Sequence, residues 1–265
     1  MATSLQVSIG QYSDAGAKPE NQDAHGAWVP EDAELHSKGV AMALADGIST
    51  SDVAHVASET AVKSFLTDYY CTSAAWSVKK AGHRVIDATN AWLHWQTDRS
   101  WARYDKDRGY VCTFTALVIK STTAHVFHVG DSRAYRVHGR GLEQLTDDHR
   151  HWAAGGKSYL GRALGVEDRV EVDYQSFSLS PGDTFVLTTD GIYETLSPAA
   201  ITAPINDQSD DLNAAARAIV QAAYEAGSED NLTVQILRVE SVPEPGLSEL
   251  QQRVTELPFP PAVGP

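Results

Sequence analysis

Four apolar, strand-like segments of this chain each carry an aspartate at one end: Asp46 closes GVAMALA (39–45), Asp131 follows HVFHVG, Asp190 follows FVLTT, and Asp230 stands just before LTVQILRV. Asp23, in Asn21-Gln22-Asp23, opens a fifth. Three of these aspartates end a strand and two begin one, so an antiparallel sheet can bring all five to one rim. Five bare carboxylates on one rim repel each other. Such a cluster implies bound hard cations, and an all-oxygen ligand set selects Mg²⁺, Mn²⁺ or Ca²⁺ over zinc. Gly47 and Gly191 each follow an aspartate directly, where glycine permits a sharp turn that brings a carbonyl oxygen toward a metal. One Asp-Gly after a strand is an ordinary turn; the combination carries the argument.

Alternating apolar residues predict strands over 5–13 and 23–29, and the apolar run 39–45 predicts a buried strand. Ser51 or Asp52 can cap a helix with Val53, Val56, Ala57, Ala61 and Phe65 along one face. A second helix is predicted over 78–95, along Val78, Ala81, Val85, Ala88, Trp92 and Trp95. Short β-branched segments at 113–120, 124–129, 132–137 and 142–145 read as a meander of hairpins. The stretch 146–165 reads as a long loop, or a loop with a short helix, of the kind that often carries function. Strands at 170–179 and 184–189, a helix over 212–226 and a strand over 232–239 follow. Antiparallel hairpins with paired helices point to an α+β layered domain rather than a doubly wound parallel sheet. The domain is expected over 1–240, with the proline-rich residues 241–265 as a tail or linker.

The chain has 265 residues, and 21 Lys+Arg against 35 Asp+Glu give a formal net charge of −14. Without a basic block, a nucleic-acid partner is not expected. No apolar run of about 18 residues occurs, so no membrane span is expected, and the chain reads as cytoplasmic. Cys71 and Cys112 lack CxxC partners and offer neither a disulfide framework nor a thiolate zinc site. His125 and His128 sit three apart on a strand, which turns their rings to opposite faces, and His149 with His151 lacks a third ligand. Trp92, Trp95 and Trp101 are expected to pack in the core or between paired helices.

The order Gly16-Ala17-Lys18-Pro19-Glu20-Asn21-Gln22-Asp23, Leu44-Ala45-Asp46-Gly47, Val129-Gly130-Asp131-Ser132-Arg133-Ala134-Tyr135, Leu145-Thr146-Asp147-Asp148-His149, Thr189-Asp190-Gly191 and Glu229-Asp230-Asn231-Leu232-Thr233 resembles the metal-dependent protein phosphatases of type 2C, the PPM family. The resemblance covers about residues 4–239. The stretches 68–71, 109–120 and 257–261 are similar to bacterial members in which the phosphatase domain is fused to a Ser/Thr kinase. No kinase glycine loop or HRD-type motif occurs in these residues.

The resemblance implies a β-sandwich of two antiparallel sheets flanked by pairs of helices in α-β-β-α layers. It implies hydrolysis of phosphoserine and phosphothreonine in proteins by water activated between two divalent cations, Mn²⁺ or Mg²⁺, with a third, weaker cation site. Asp46 corresponds to the carboxylate bridging both metals and the Gly47 carbonyl to a ligand of the second, while Asp190 and Asp230 hold the first. Asp23 corresponds to the residue that holds a metal-bound water, Asp131 with Asp190 to the third site, and Asn231 to a partner behind the ligands. Asp46, Asp190 and Lys18 are the expected catalytic residues, and a cognate or fused Ser/Thr kinase is an expected partner.

Two positions depart from the pattern. Lys18 stands where an Arg commonly grips the phosphoryl oxygens, and a lysine is a point charge without the guanidinium fork. Ile48 stands where many eukaryotic members carry a His proposed as general acid. These departures leave open a second reading, a catalytically weak or silent regulatory module that keeps the phosphatase fold. Retention of all the expected metal-site aspartates argues against it.

Overall fold

A computed structural model describes residues 4–152, 158–208 and 210–243. The chain runs β1 (Gln6–Asp14), β2 (Asp23–Trp28), α1 (Asp32–Lys38), β3 (Val40–Asp46), α2 (Ala54–Cys71), α3 (Val78–Arg99), β4 (Phe114–Lys120), β5 (Thr123–Val129), β6 (Arg133–His138) and β7 (Gly141–Gln144). It continues through β8 (Arg150–Trp152), β9 (Ser158–Leu160), β10 (Asp173–Ser178), β11 (Thr184–Thr188), α4 (Asp190–Tyr193), α5 (Pro198–Asp207), α6 (Leu212–Glu225) and β12 (Leu232–Ser241). Two short 3₁₀ turns, Trp101–Tyr104 and Lys106–Arg108, link α3 to β4.

Two five-stranded antiparallel sheets stack face to face, ordered β1-β12-β11-β6-β7 and β10-β5-β4-β3-β2, and β8 pairs with β9 in a separate hairpin. Strand β3 shows why the layers form. Val40, Met42 and Leu44 enter the core between the sheets, while Ala41, Ala43 and Ala45 face the α2–α3 pair. The two-residue period of a strand, apolar on both faces, thus requires a layer on each side. Large side chains fill the space between sheets, joined by Leu117, Phe185, Leu187 and Leu237, and the alanines let helices approach closely. The other sheet does the same with β12: Leu237 and Val239 point inward, whereas Leu232, Val234 and Ile236 meet Ala215, Ala216 and Ile219 of α6. The α+β, α-β-β-α architecture expected from the sequence is observed.

Local capping explains several helix starts. Ser77 accepts from the Lys80 amide at the start of α3, Asp211 accepts from Ala214 before α6, and Ser197 precedes α5 with Pro198 in its first turn. At α2 the expected cap is displaced: Ser51 Oγ accepts from Val53 N, and the helix begins at Ala54.

Four sequence expectations need correction. The segments 113–145 are not one meander, because β5 pairs with β4 and β10 whereas β6 pairs with β11 and β7, so the chain crosses between sheets at residues 130–132. The stretch 146–165, expected as a long loop or a loop with a short helix, holds the paired strands β8 and β9. Helices α1, α4 and α5 are too short or too proline-interrupted to announce themselves by periodicity. Finally, Trp92, Trp95 and Trp101 are exposed rather than packed in the core: Trp95 lies under Arg99 and Trp101 under Arg108. Those arginines cover one indole face each, so the rings stay at the surface. Strand β12 runs to Ser241, one residue past the expected domain limit, and most of the expected tail, residues 244–265, lies outside the described residues.

Candidate active site

All five rim aspartates reach one end of the sandwich. Asp23 opens β2 and Asp46 ends β3, and they are direct cross-strand partners. Asp190 follows β11 and Asp230 precedes β12, which run antiparallel with Thr188 opposite Val234. Asp131 lies in the crossover between the sheets. Asp46, Asp131, Asp190 and Asp230 line one cavity of about 370 Å³, together with Gly47, Ile48, Thr113, Arg150, Leu160 and Glu194.

Backbone bonds fix this convergence. Thr113 donates its amide to Asp46 O at 2.8 Å, and its Oγ1 accepts from the Asp46 amide at 3.0 Å and pairs with Ser132 Oγ at 2.7 Å. That residue therefore ties the bottom of β3 to the crossover carrying Asp131. Asn231 performs the same service for the loop before β2: its Oδ1 accepts from Gln22 N at 2.9 Å, and its Nδ2 donates to Ala15 O at 3.0 Å and Glu20 O at 2.9 Å. Lys18 and Asp23 are carried by that loop. Gly47 and Gly191 have a different purpose from the sharp turn the sequence suggested, since neither adopts a positive φ. A Cβ on Gly191 would stand 2.2 Å from Asn231 O, and one on Gly47 would stand 2.8 Å from the Ala54 backbone. Close approach of neighbouring backbone is what excludes a side chain there.

Like charges and burial dominate the electrostatics. Asp46 is held well above the usual carboxyl range, first by burial and then by Asp23, Asp190, Asp131 and Asp230. Asp190 rises to about 7 through burial and the charges of Asp131, Asp230 and Glu194. Asp23 rises to about 6 through burial, against hydroxyl donors at Thr233 (2.6 Å) and Thr189 (3.0 Å) that favour its charged form. Both hydroxyls serve Asp23 Oδ2, and the buried Oδ1 has no hydrogen-bond partner. A buried carboxylate oxygen without a donor is costly unless a cation or water meets it. Crowded oxygen donors, raised carboxyls and this orphaned oxygen fit hard divalent cations. Among the described residues, however, no three acidic, His or Cys side chains close into a complete cage.

Two protein cations meet the carboxylates. Lys18 Nζ lies 3.2 Å from Asp230 Oδ1, in an adjoining cavity also lined by Asp190 and Glu194. Arg150, on β8, reaches Asp131, Asp190 and Glu194. The sequence placed Arg150 in the loop 146–165, which resembles in position a flap beside the sites of bacterial family members, but gave it no partner, and it missed Thr113 and Glu194. Glu194 carried a readable signal, four residues after Asp190 and hence one helical turn away; Arg150 carried none, because its partners lie 19, 40 and 44 residues along the chain. His149 is half-buried beside it, with Nδ1 accepting from Gly130 N at 3.0 Å. His125 instead pairs with Tyr174 at 2.8 Å, away from the rim. Ile48 does line the cavity.

Comparison with known proteins points the same way. A sequence profile of the Protein phosphatase 2C family matches residues 11–233. The serine/threonine phosphatase stp of Listeria welshimeri is 29% identical over 216 residues, covering 73% of this chain and 82% of that protein. The crystal structure of the serine/threonine phosphatase Stp1 from Staphylococcus aureus superposes with a TM-score of 0.76 at 19% identity, covering 91% of this chain and 98% of that one. The catalytic domain of the serine/threonine phosphatase PstP, solved in complex with two manganese ions, gives 0.71 at 21% identity, covering 90% of this chain and 100% of that one.

Proposed function

The chain belongs to the protein phosphatase 2C family, and on that premise we propose that it removes phosphate from phosphoserine and phosphothreonine in proteins at the aspartate rim, using two divalent cations, Mn²⁺ or Mg²⁺. The observation that carries this reading is the convergence of Asp23, Asp46, Asp190 and Asp230 on one rim, where burial first and neighbouring carboxylates second raise the carboxyls of Asp23, Asp46 and Asp190. Divalent cations bound there supply acidification of water near neutral pH and neutralisation of phosphoryl charge.

The chain's own residues fall into distinct tasks. Asp46, Asp190 and Asp230 would hold the first cation, and Asp46 with the Gly47 carbonyl the second. Asp23 would orient a water through its unpartnered Oδ1, while Thr189 and Thr233 fix its other oxygen. Asn231 would set the loop that delivers Asp23 and Lys18. Lys18, at the edge of the rim, would attract the phosphoryl oxygens as a single charge rather than a fork. Ile48 offers no proton, so the leaving oxygen would take one from solvent.

The test is hydrolysis of para-nitrophenyl phosphate and of a phosphothreonine peptide with Mn²⁺, with Mg²⁺ and with EDTA, alongside Asp46→Asn. Metal-dependent turnover lost in that variant supports the reading. A folded protein with no turnover under any metal would overturn it and favour the regulatory module.

A further inference from the structure

The guanidinium of Arg150 stands where the Asp131–Asp190 pair would hold a third cation. Its Nε donates to Asp131 Oδ2 at 2.7 Å, its Nη2 to Asp190 Oδ2 at 3.2 Å, and its Nη1 to Glu194 Oε1 at 2.5 Å. One side chain, 16% exposed, thus meets three carboxylates, Asp131 from the crossover and Asp190 and Glu194 from the two ends of α4. A fourth contact, Nη2 to Tyr193 Oη at 3.3 Å, comes from a hydroxyl that itself donates to Asp131 O at 2.9 Å.

This arrangement is braced from behind. Arg133 forks onto Asp148 at 2.8 and 2.6 Å and lies 3.6 Å from the centre of the Tyr193 ring. The start of β8 is tied twice to the residue before Asp131: His149 N donates to Gly130 O at 2.8 Å, and Gly130 N donates to His149 Nδ1 at 3.0 Å. The anchor of Arg150 and the carboxylate it meets are therefore positioned by the same pair of bonds.

We infer that Arg150 is a resident counter-cation that fills the Asp131–Asp190 position, so that this chain takes up two divalent cations rather than three. The inference rests on the metal-site reading above. A carboxylate oxygen at 2.7 Å from a guanidinium nitrogen has its lone pair directed at that donor, whereas a hard cation requires the oxygen at about 2.0–2.6 Å with no competing positive charge. Occupancy by the arginine and by a divalent ion are mutually exclusive, and the coupling is reciprocal: whatever frees Arg150 tightens the third site. For the third position, then, the residues present do not fit a resident metal, whereas those of the first two do.

The test is Mn²⁺ uptake by equilibrium dialysis and titration calorimetry, which reads stoichiometry independently of turnover, on the wild-type chain, on Arg150→Gln and on Glu194→Gln. Two ions are expected in the wild type. Arg150→Gln should take up a third, or bind its weakest ion about tenfold more tightly. Glu194→Gln loosens one partner of the arginine without removing Asp131 or Asp190, so it should shift the weakest site in the same direction by less, and it serves if Arg150→Gln fails to fold. Three ions in the wild type, or unchanged number and affinity in the variants, would overturn this inference and leave the metal-site reading standing. No uptake by the folded wild type would overturn both.

Discussion

Asp23 and Asp46 face each other across β2 and β3 at the last register position of the pair, two carboxylates where a sheet ordinarily places neutral or opposite charges. Burial raises both carboxyls, and the charges of Asp23, Asp190, Asp131 and Asp230 raise Asp46 further, so the metal-free fold disfavours their ionised forms.

Asp46→Asn should therefore have opposite effects on activity and stability. Turnover should fall by orders of magnitude, because the bridging carboxylate is lost. In EDTA the melting temperature should rise by a few degrees, since one of the crowded charges has gone. Phosphatase assays and calorimetry on the same sample check both.

The stability of the metal-free protein should depend on pH in a defined direction. Asp23 and Asp190 take up protons at about 6 and about 7 in the fold, against an ordinary 3.8. Between those values the folded state holds more protons than the unfolded chain, so stability falls as pH rises through about 6 and about 7 and then levels off. Melting in EDTA from pH 4.5 to 8 reads the slope. Saturating Mn²⁺ competes with those protons, so the gain in melting temperature on adding it should be larger at pH 8 than at pH 5.5.

Asn231→Ala should destabilise by about 1–3 kcal/mol, because the buried amide satisfies Gln22 N and the carbonyls of Ala15 and Glu20. Asn231→Asp keeps the acceptor but turns a second oxygen onto those two carbonyls beside Asp230, and should destabilise at least as much as alanine. Denaturant titration ranks the three proteins.

Lys18→Ala should raise KM for a phosphopeptide more than it lowers kcat, since the lysine acts on the phosphoryl oxygens. Its ion pair with Asp230 is partly solvated, so the melting temperature should move little. Lys18→Arg should lower KM by restoring a fork to those oxygens. Steady-state kinetics separate the two parameters.

How far the sequence reached follows from which interactions are local. The alternation in GVAMALA, the apolar lines of α2, α3 and α6, and the aspartates at strand edges are all written within a few residues. They set a layered α+β domain with an acidic rim. Which strand lies beside which was decided by contacts between distant segments, so the crossing of β5 to β6 between sheets was invisible, although Gly130, at a φ of 113°, marks the bend where it happens. The tryptophans show the same limit, because helical spacing gives a side for Trp92 and Trp95 but not which side finds a partner. The glycines after Asp46 and Asp190 were legible as requirements, yet their cause, the backbone of Ala54 and Asn231 pressed against them, belongs to the packed fold. Arg150 is the extreme case: no periodicity or motif joins it to Asp131, Asp190 and Glu194. Only the docking of the β8–β9 hairpin on the rim brings one positive charge among three negative ones, because Coulomb attraction acts on distance in space, whereas a sequence records distance along the chain.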